Sequence, residues 1–175
     1  MRKQVLRRLR EEFKRKIEAS GKFLHAADKG GAAGSDLYIW KFSPELNFFV
    51  YLLPNPKSYR DTFMVELGWS SGILFPRSAP MQNKQRLDLC VDGRIRLPSL
   101  WREQWASALE PWWETGHSLA ADTGGEFYAE EETKRRVAKV PELVADAIQK
   151  LQKYGMPLFE RVAAERHTGQ RLNLP

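Results

Sequence analysis

Between Lys3 and Ala19, apolar residues recur every three or four positions, at Leu6, Leu9, Phe13 and Ile17, the spacing that lines up one face of an α-helix. Ser20-Gly21 ends that pattern, and the period then shortens to two. Leu37–Phe42, Phe48–Leu53 and Thr62–Trp69 are strand-like runs; in the last, Phe63, Val65, Leu67 and Trp69 share one face. The first two are joined by Ser43-Pro44-Glu45-Leu46-Asn47, a connection of hairpin length. Pro54-Asn55-Pro56 closes the second, because proline cannot donate to a ladder. A fourth run, Arg86–Val91, alternates Leu87, Leu89 and Val91 against Asp88 and Cys90. Asp92-Gly93 then signals a type I′ turn into Arg94–Leu97.

The segments between these runs predict loops. Ala26–Ser35 carries Gly30, Gly31 and Gly34, which raise the entropic cost of ordering any regular element and offer nothing to bury. Ser70–Lys84 is broken by Gly72, Pro76 and Pro80 around an apolar anchor, Ile73-Leu74-Phe75. After Pro98 the chain turns tryptophan-rich, with a short helix expected over Leu100–Leu109. The last third reads as helical: charged from Glu130 to Lys139, restarting at Pro141 with Leu143, Val144, Ala147, Ile148 and Leu151 on one face. Gly155 is expected to cap that helix, Met156-Pro157 to open a last one through Ala164, and the end to be a frayed tail. The pattern predicts an α+β fold, an antiparallel β-meander of about five strands packed against N- and C-terminal helices, with one domain over residues 1–165 and a tail over 166–175.

Composition supports a single folded core, since 42% of the 175 residues are hydrophobic and 29% charged. Cys90 is the single cysteine, which excludes an internal disulfide and points to a reducing, cytoplasmic setting. No apolar run approaches the ~20 residues of a membrane span, and the basic start lacks the apolar stretch of a secretory signal. The net charge of +6 is concentrated: residues 1–22 hold nine basic and three acidic side chains, leaving nineteen of each sign elsewhere. An acidic partner should meet that first helix.

Four groups could carry function. Arg7, Arg8 and Arg10 on the basic helix form a candidate nucleic-acid surface through counterion release, set against a solvated face balanced by Glu11, Glu12 and Glu18. Trp101, Trp105, Trp112 and Trp113 could anchor a protein partner, since large rigid rings bury much area at little entropic cost, or could pack in the core. His25, His117 and His167 lack metal-ligand spacing. A Cys90/His117 nucleophile pair is set against burial of a strand cysteine. Glu66 and Asp88 project from strands opposite the apolar stripe, where paired carboxylates could run acid–base chemistry or hold Mg²⁺ on adjacent strands. The glycines of residues 30–34 lack the Lys-Ser/Thr ending of a phosphate loop. No catalytic residue, metal site or cofactor is assigned.

The strand Phe63-Met64-Val65-Glu66-Leu67-Gly68, a "Phe-x-Val-x-x-Gly" pattern, and the turn Tyr154-Gly155-Met156-Pro157, a "Tyr-Gly-x-Pro" pattern, together resemble an uncharacterised bacterial family of unknown function that opens with an amphipathic helix. The resemblance spans most of residues 1–165, and its motifs are structural. It implies the fold and no catalytic residue; the insert Trp101–Trp113 departs from it. The expected function is that of a non-enzymatic domain binding a macromolecular partner, an accessory or immunity-like component of a bacterial system. The alternatives are a metal-dependent hydrolase or nuclease built on Glu66, Asp88 and a histidine, or nucleic-acid binding through the first helix.

Overall fold

Val5, Leu9, Phe13 and Ile17 form the buried stripe of helix α1 (Lys3–Glu18); Val5 takes the innermost N-terminal place and Leu6 lies at the margin. The helix stops where the Ser20 hydroxyl donates to the Ile17 carbonyl at 2.7 Å and the Gly21 N–H to that of Glu18 at 2.9 Å. Gly21 itself has φ +69°, a conformation glycine adopts without penalty. The computed structural model describes residues 3–26, 35–55, 61–82, 87–101, 113–115 and 128–168.

Among these residues the sheet comprises β1 (Leu24–His25), β2 (Asp36–Ser43), β3 (Leu46–Pro54), β4 (Thr62–Ser70), β5 (Gly93–Arg96) and β6 (Trp113–Glu114). The order β1-β2-β3-β4-β5 is an antiparallel meander, and β6 shares the outer edge of β4 with β5. They divide that edge: β5 pairs with Glu66–Trp69 and β6 with Thr62 and Phe63. The protein is thus an α+β domain with helices at its two ends, as the patterning predicts. The expected five-residue β2–β3 connection is shorter, because pairing extends through Ser43 and Leu46 across a bulge.

The second expected hairpin does not form. Among residues 87–92 there is no strand: the Gln82 side-chain amide takes both backbone groups of Asp88, donating to its carbonyl at 3.0 Å and accepting its N–H at 2.8 Å. Residues 93–96 pair with β4 instead. The alternation of Leu87, Leu89 and Val91 is that of a chain lying on the core edge, with a side chain in place of a ladder.

Among the described residues the long helices cover one sheet face. There Tyr38, Phe48, Val50, Phe63, Val65, Leu67 and Trp69 meet the α1 stripe and Val140, Val144, Leu158, Phe159 and Val162. The other face is covered by residues 71–82, whose Phe75 docks on Phe49 and Tyr51, while Ile73 and Leu74 are exposed; the expected apolar anchor is Phe75 alone. Gly68 makes that docking fit, since a Cβ there would come within 2.8 Å of the Phe75 ring.

The last third is one continuous helical rod: α2 (Tyr128–Lys150), a π-helical turn over Leu151–Gly155, and α3 (Met156–Thr168). Pro141 does not restart the helix but sits inside α2, where its missing N–H and ring cost roughly 3 kcal/mol, offset by burial of Val140, Val144 and Ala147. Gly155 does not cap. It lets the rod approach the sheet, since a Cβ there would meet Leu151 at 2.7 Å and Leu67 at 3.0 Å. Helix α3 runs past the expected tail boundary to Thr168, held by Arg166, which donates to the Leu89 carbonyl and the Asp92 carboxylate. The glycine-rich stretch of residues 27–34, the expected helix over 102–109, and residues 169–175 lie outside the described residues.

Candidate functional site

The strand alternation of β2 points Tyr38, Trp40 and Phe42 toward the helices, and five aromatic rings meet there. Trp40 lies 5.9 Å from Phe23, 5.3 Å from Phe42 and 5.2 Å from Phe48, and Phe48 stacks on Phe159 of α3 at 4.5 Å. Phe42, at the edge of the group, is 47% exposed. It floors an open cleft of about 1050 Å³ between the β2–β3 turn (Ser43–Leu46) and the C-terminal half of α3 (Ala163–His167), with Ser71 and Cys90 on the third side. Val91, next to Cys90, is 49% exposed.

The third wall is fixed by one carboxylate. Asp92 accepts from the Ser70 hydroxyl at 2.5 Å, the Ser71 N–H at 3.1 Å and Arg166 at 2.9 Å, joining the end of β4, the segment before β5 and α3. Burial raises its pKa, but these donors outweigh it and hold the carboxyl below its usual range. Trp69 adds a 2.8 Å hydrogen bond from Nε1 to the Val91 carbonyl, and Asn47 one of 3.1 Å to the Gly72 carbonyl. The cleft is therefore preformed by side chains that pin its loops.

Of the residues singled out from sequence, Cys90 and His167 line the cleft, and the other described ones fall elsewhere. Trp113, expected in a partner-binding group, is a core residue: it stacks on Phe63 at 5.4 Å and donates to Asp146 at 2.8 Å. Trp101 is half-buried against Tyr154 and Trp113, with the Lys150 ammonium 5.3 Å from its ring centre. Trp105 and Trp112 lie outside the described residues. Arg7 and Arg8 pair with Glu11 and Glu12, each at 3.8 Å, and Arg10 with Asp36 at 2.9 Å.

Glu66 is buried and faces Arg94 at 3.7 Å and Arg96 at 3.6 Å; the residue directly across from it on β5 is Arg96. Asp88 stands on the non-strand segment before β5, where its carboxylate accepts the Cys90 N–H at 3.2 Å. The adjacent strands that would have paired these two acids do not exist. Cys90, expected to be buried, is exposed; His117 lies outside the described residues, and the histidine that shares the cleft with Cys90 is His167. Among the described residues no group of three or more His, Cys, Asp or Glu converges to hold a metal ion, and no helix is long and apolar enough to cross a membrane.

Sequence reasoning gave no binding role to Phe42, to the hairpin connection beside it or to Ala163–Arg166, and named His167 only as a histidine without metal-ligand spacing. The one signal for them was Phe42 continuing the apolar face of β2 past the point where the helices cover it. Geometry and fold together define an antiparallel α+β domain with an aromatic-floored cleft at one end of its sheet. No family model matches the chain, and neither a curated protein nor a solved structure is similar enough to it to match.

Proposed function

We propose that this chain is a non-catalytic binding domain that takes a segment of a protein partner in the cleft between the β2–β3 turn and α3. The observation that carries this reading is an open, preformed cleft of about 1050 Å³ floored by the half-exposed Phe42. That volume lies just above the range of small-molecule pockets, about 300–1000 Å³, and suits several side chains at once. Its lining combines apolar Phe42, Pro44 and Ala163 with polar Glu45, Arg166 and His167, the mixture of apolar and polar groups that a protein interface carries. An exposed Cys90 thiol suits a reducing, cytoplasmic setting.

The test is selection of peptides from a random library on the folded protein, followed by titration against two variants. Phe42→Asp removes the apolar floor, and Ala164→Arg crowds the cleft from an exposed helix position. The selected peptides are expected to bind each variant at least about tenfold more weakly, ~1.4 kcal/mol, with Ala164→Arg melting like the parent. Peptides that bind both variants as well as the parent would remove the cleft from consideration.

A further inference from the structure

A second cavity lies on the far side of the aromatic group, in the seam between α1 and the π-helical turn. It measures about 170 Å³, and Ile17, Phe23, Ile148, Leu151 and Met156 form its apolar lining. At ~30 Å³ per water this is the space of five or six waters, room for one phenyl or branched alkyl group. The π-helical turn shapes it. In that turn the Met156 N–H bonds to the Leu151 carbonyl, five residues back, so Leu151 and Met156 stand over one another. Such turns occur frequently at functional sites.

Lys16 and Lys22 also line the cavity. The Lys16 ammonium has a loose partner, Glu12 at 3.8 Å, and that carboxylate is already engaged by Arg15 at 2.5 Å and Arg8 at 3.8 Å. One negative charge thus faces three positive ones. Lys22 lies 4.8 Å from the Trp40 ring centre, a cation–π contact that leaves its N–H donors for an anion. Around an apolar floor these lysines make a surplus of positive charge over the shared Glu12 carboxylate that faces Lys16.

We propose that this cavity is a binding site for a small carboxylate with an aromatic or branched-alkyl body, its apolar part on Phe23, Leu151 and Met156 and its anion between Lys16 and Lys22. Phenylacetate and its neutral amide are the probes, titrated by calorimetry into the full chain. Phenylacetate should bind with a Kd of about 0.1–1 mM, as its size allows, and the amide at least tenfold more weakly. The Lys16→Gln/Lys22→Gln double variant, altered only at the mouth, should melt like the parent and lose at least tenfold in acid affinity. Ala164→Arg should leave that affinity unchanged, which separates this site from the cleft. Equal binding of acid and amide, no saturable binding below about 10 mM, or full affinity in the double lysine variant would each overturn the proposal.

Discussion

The interior strand β4 is tied to the helical rod at both ends by an arginine–aspartate pair, and the two pairs differ in burial. At the Thr62 end, Asp61 and Arg136 of α2 meet at 2.9 Å with side chains 3% and 1% exposed, and Arg136 also donates to Glu132 at 2.9 Å. Burial works against the charged guanidinium, yet these two carboxylates more than offset it and keep its pKa raised. Thr115 seals this end by donating N–H and hydroxyl to the Asp61 carbonyl, each at 3.0 Å. At the Ser70 end, Asp92 and Arg166 of α3 also meet at 2.9 Å, but are 41% and 15% exposed. The same chemistry closes one end of the sheet and leaves the other open enough for a cleft. A buried pair is all-or-none, since an orphaned charge cannot be hydrated; a solvated pair is adjustable and can border a binding surface.

The strongest way to break this contrast is at the closed end. Arg136→Met takes the guanidinium away from the buried Asp61 carboxylate and should destabilise the domain by about 3–5 kcal/mol in chemical denaturation. Adding Asp61→Leu removes that carboxylate as well and should recover part of that loss. If the double variant were no more stable than the single one, the loss would be one of packing, and burial of charge would not distinguish the two ends.

A steric probe acts at the open end without touching a charge. Gly93 follows Asp92 and begins β5, and a Cβ there would collide with the Trp69 ring and lie 2.6 Å from Gln82 Nε2. Trp69 is fully buried and held by its bond to Val91, so neither neighbour yields easily. Gly93→Ala should cost about 1–3 kcal/mol and shift the chain around Val91, weakening cleft ligands as well as stability. A variant that melted like the parent would mean that this wall is soft.

How much of this could be read beforehand depended on whether a residue's role is local. Helix α1 and the three central strands were legible because their periods are set by one buried face each, and β3 and β4 kept their register although both of their faces are covered. The stretch around Asp88 was not, because its backbone is satisfied by Gln82, a side-chain partner that leaves no periodic trace. Asp92-Gly93 looked like a turn, yet Asp92 holds three separate segments and Gly93 is there for Trp69. Pro141 and Gly155 looked like helix ends, and packing against the sheet overrode both. The cleft joins residues near 42, 71, 90 and 165, and a site assembled from four distant segments has no motif. The sequence left the tryptophans open between a partner anchor and core packing, and Trp113 takes the second, which only its neighbours Phe63 and Asp146 decide.

The mildest probe titrates the open-end pair. Because the Asp92 carboxyl lies below its ordinary value of 3.8 in the folded protein, its contribution is complete above that value and fades as pH falls through the lower folded value. With a side chain 41% exposed, solvent screening limits it to at most about 1 kcal/mol. Asp92→Asn should therefore melt slightly lower than the parent at pH 7, with the gap narrowing as the pH drops below about 4. A gap for Asp92→Asn that stayed constant from pH 7 to the acid limb would show that Asp92 acts through its shape and hydrogen-bond geometry, and that charge is not what holds the cleft wall.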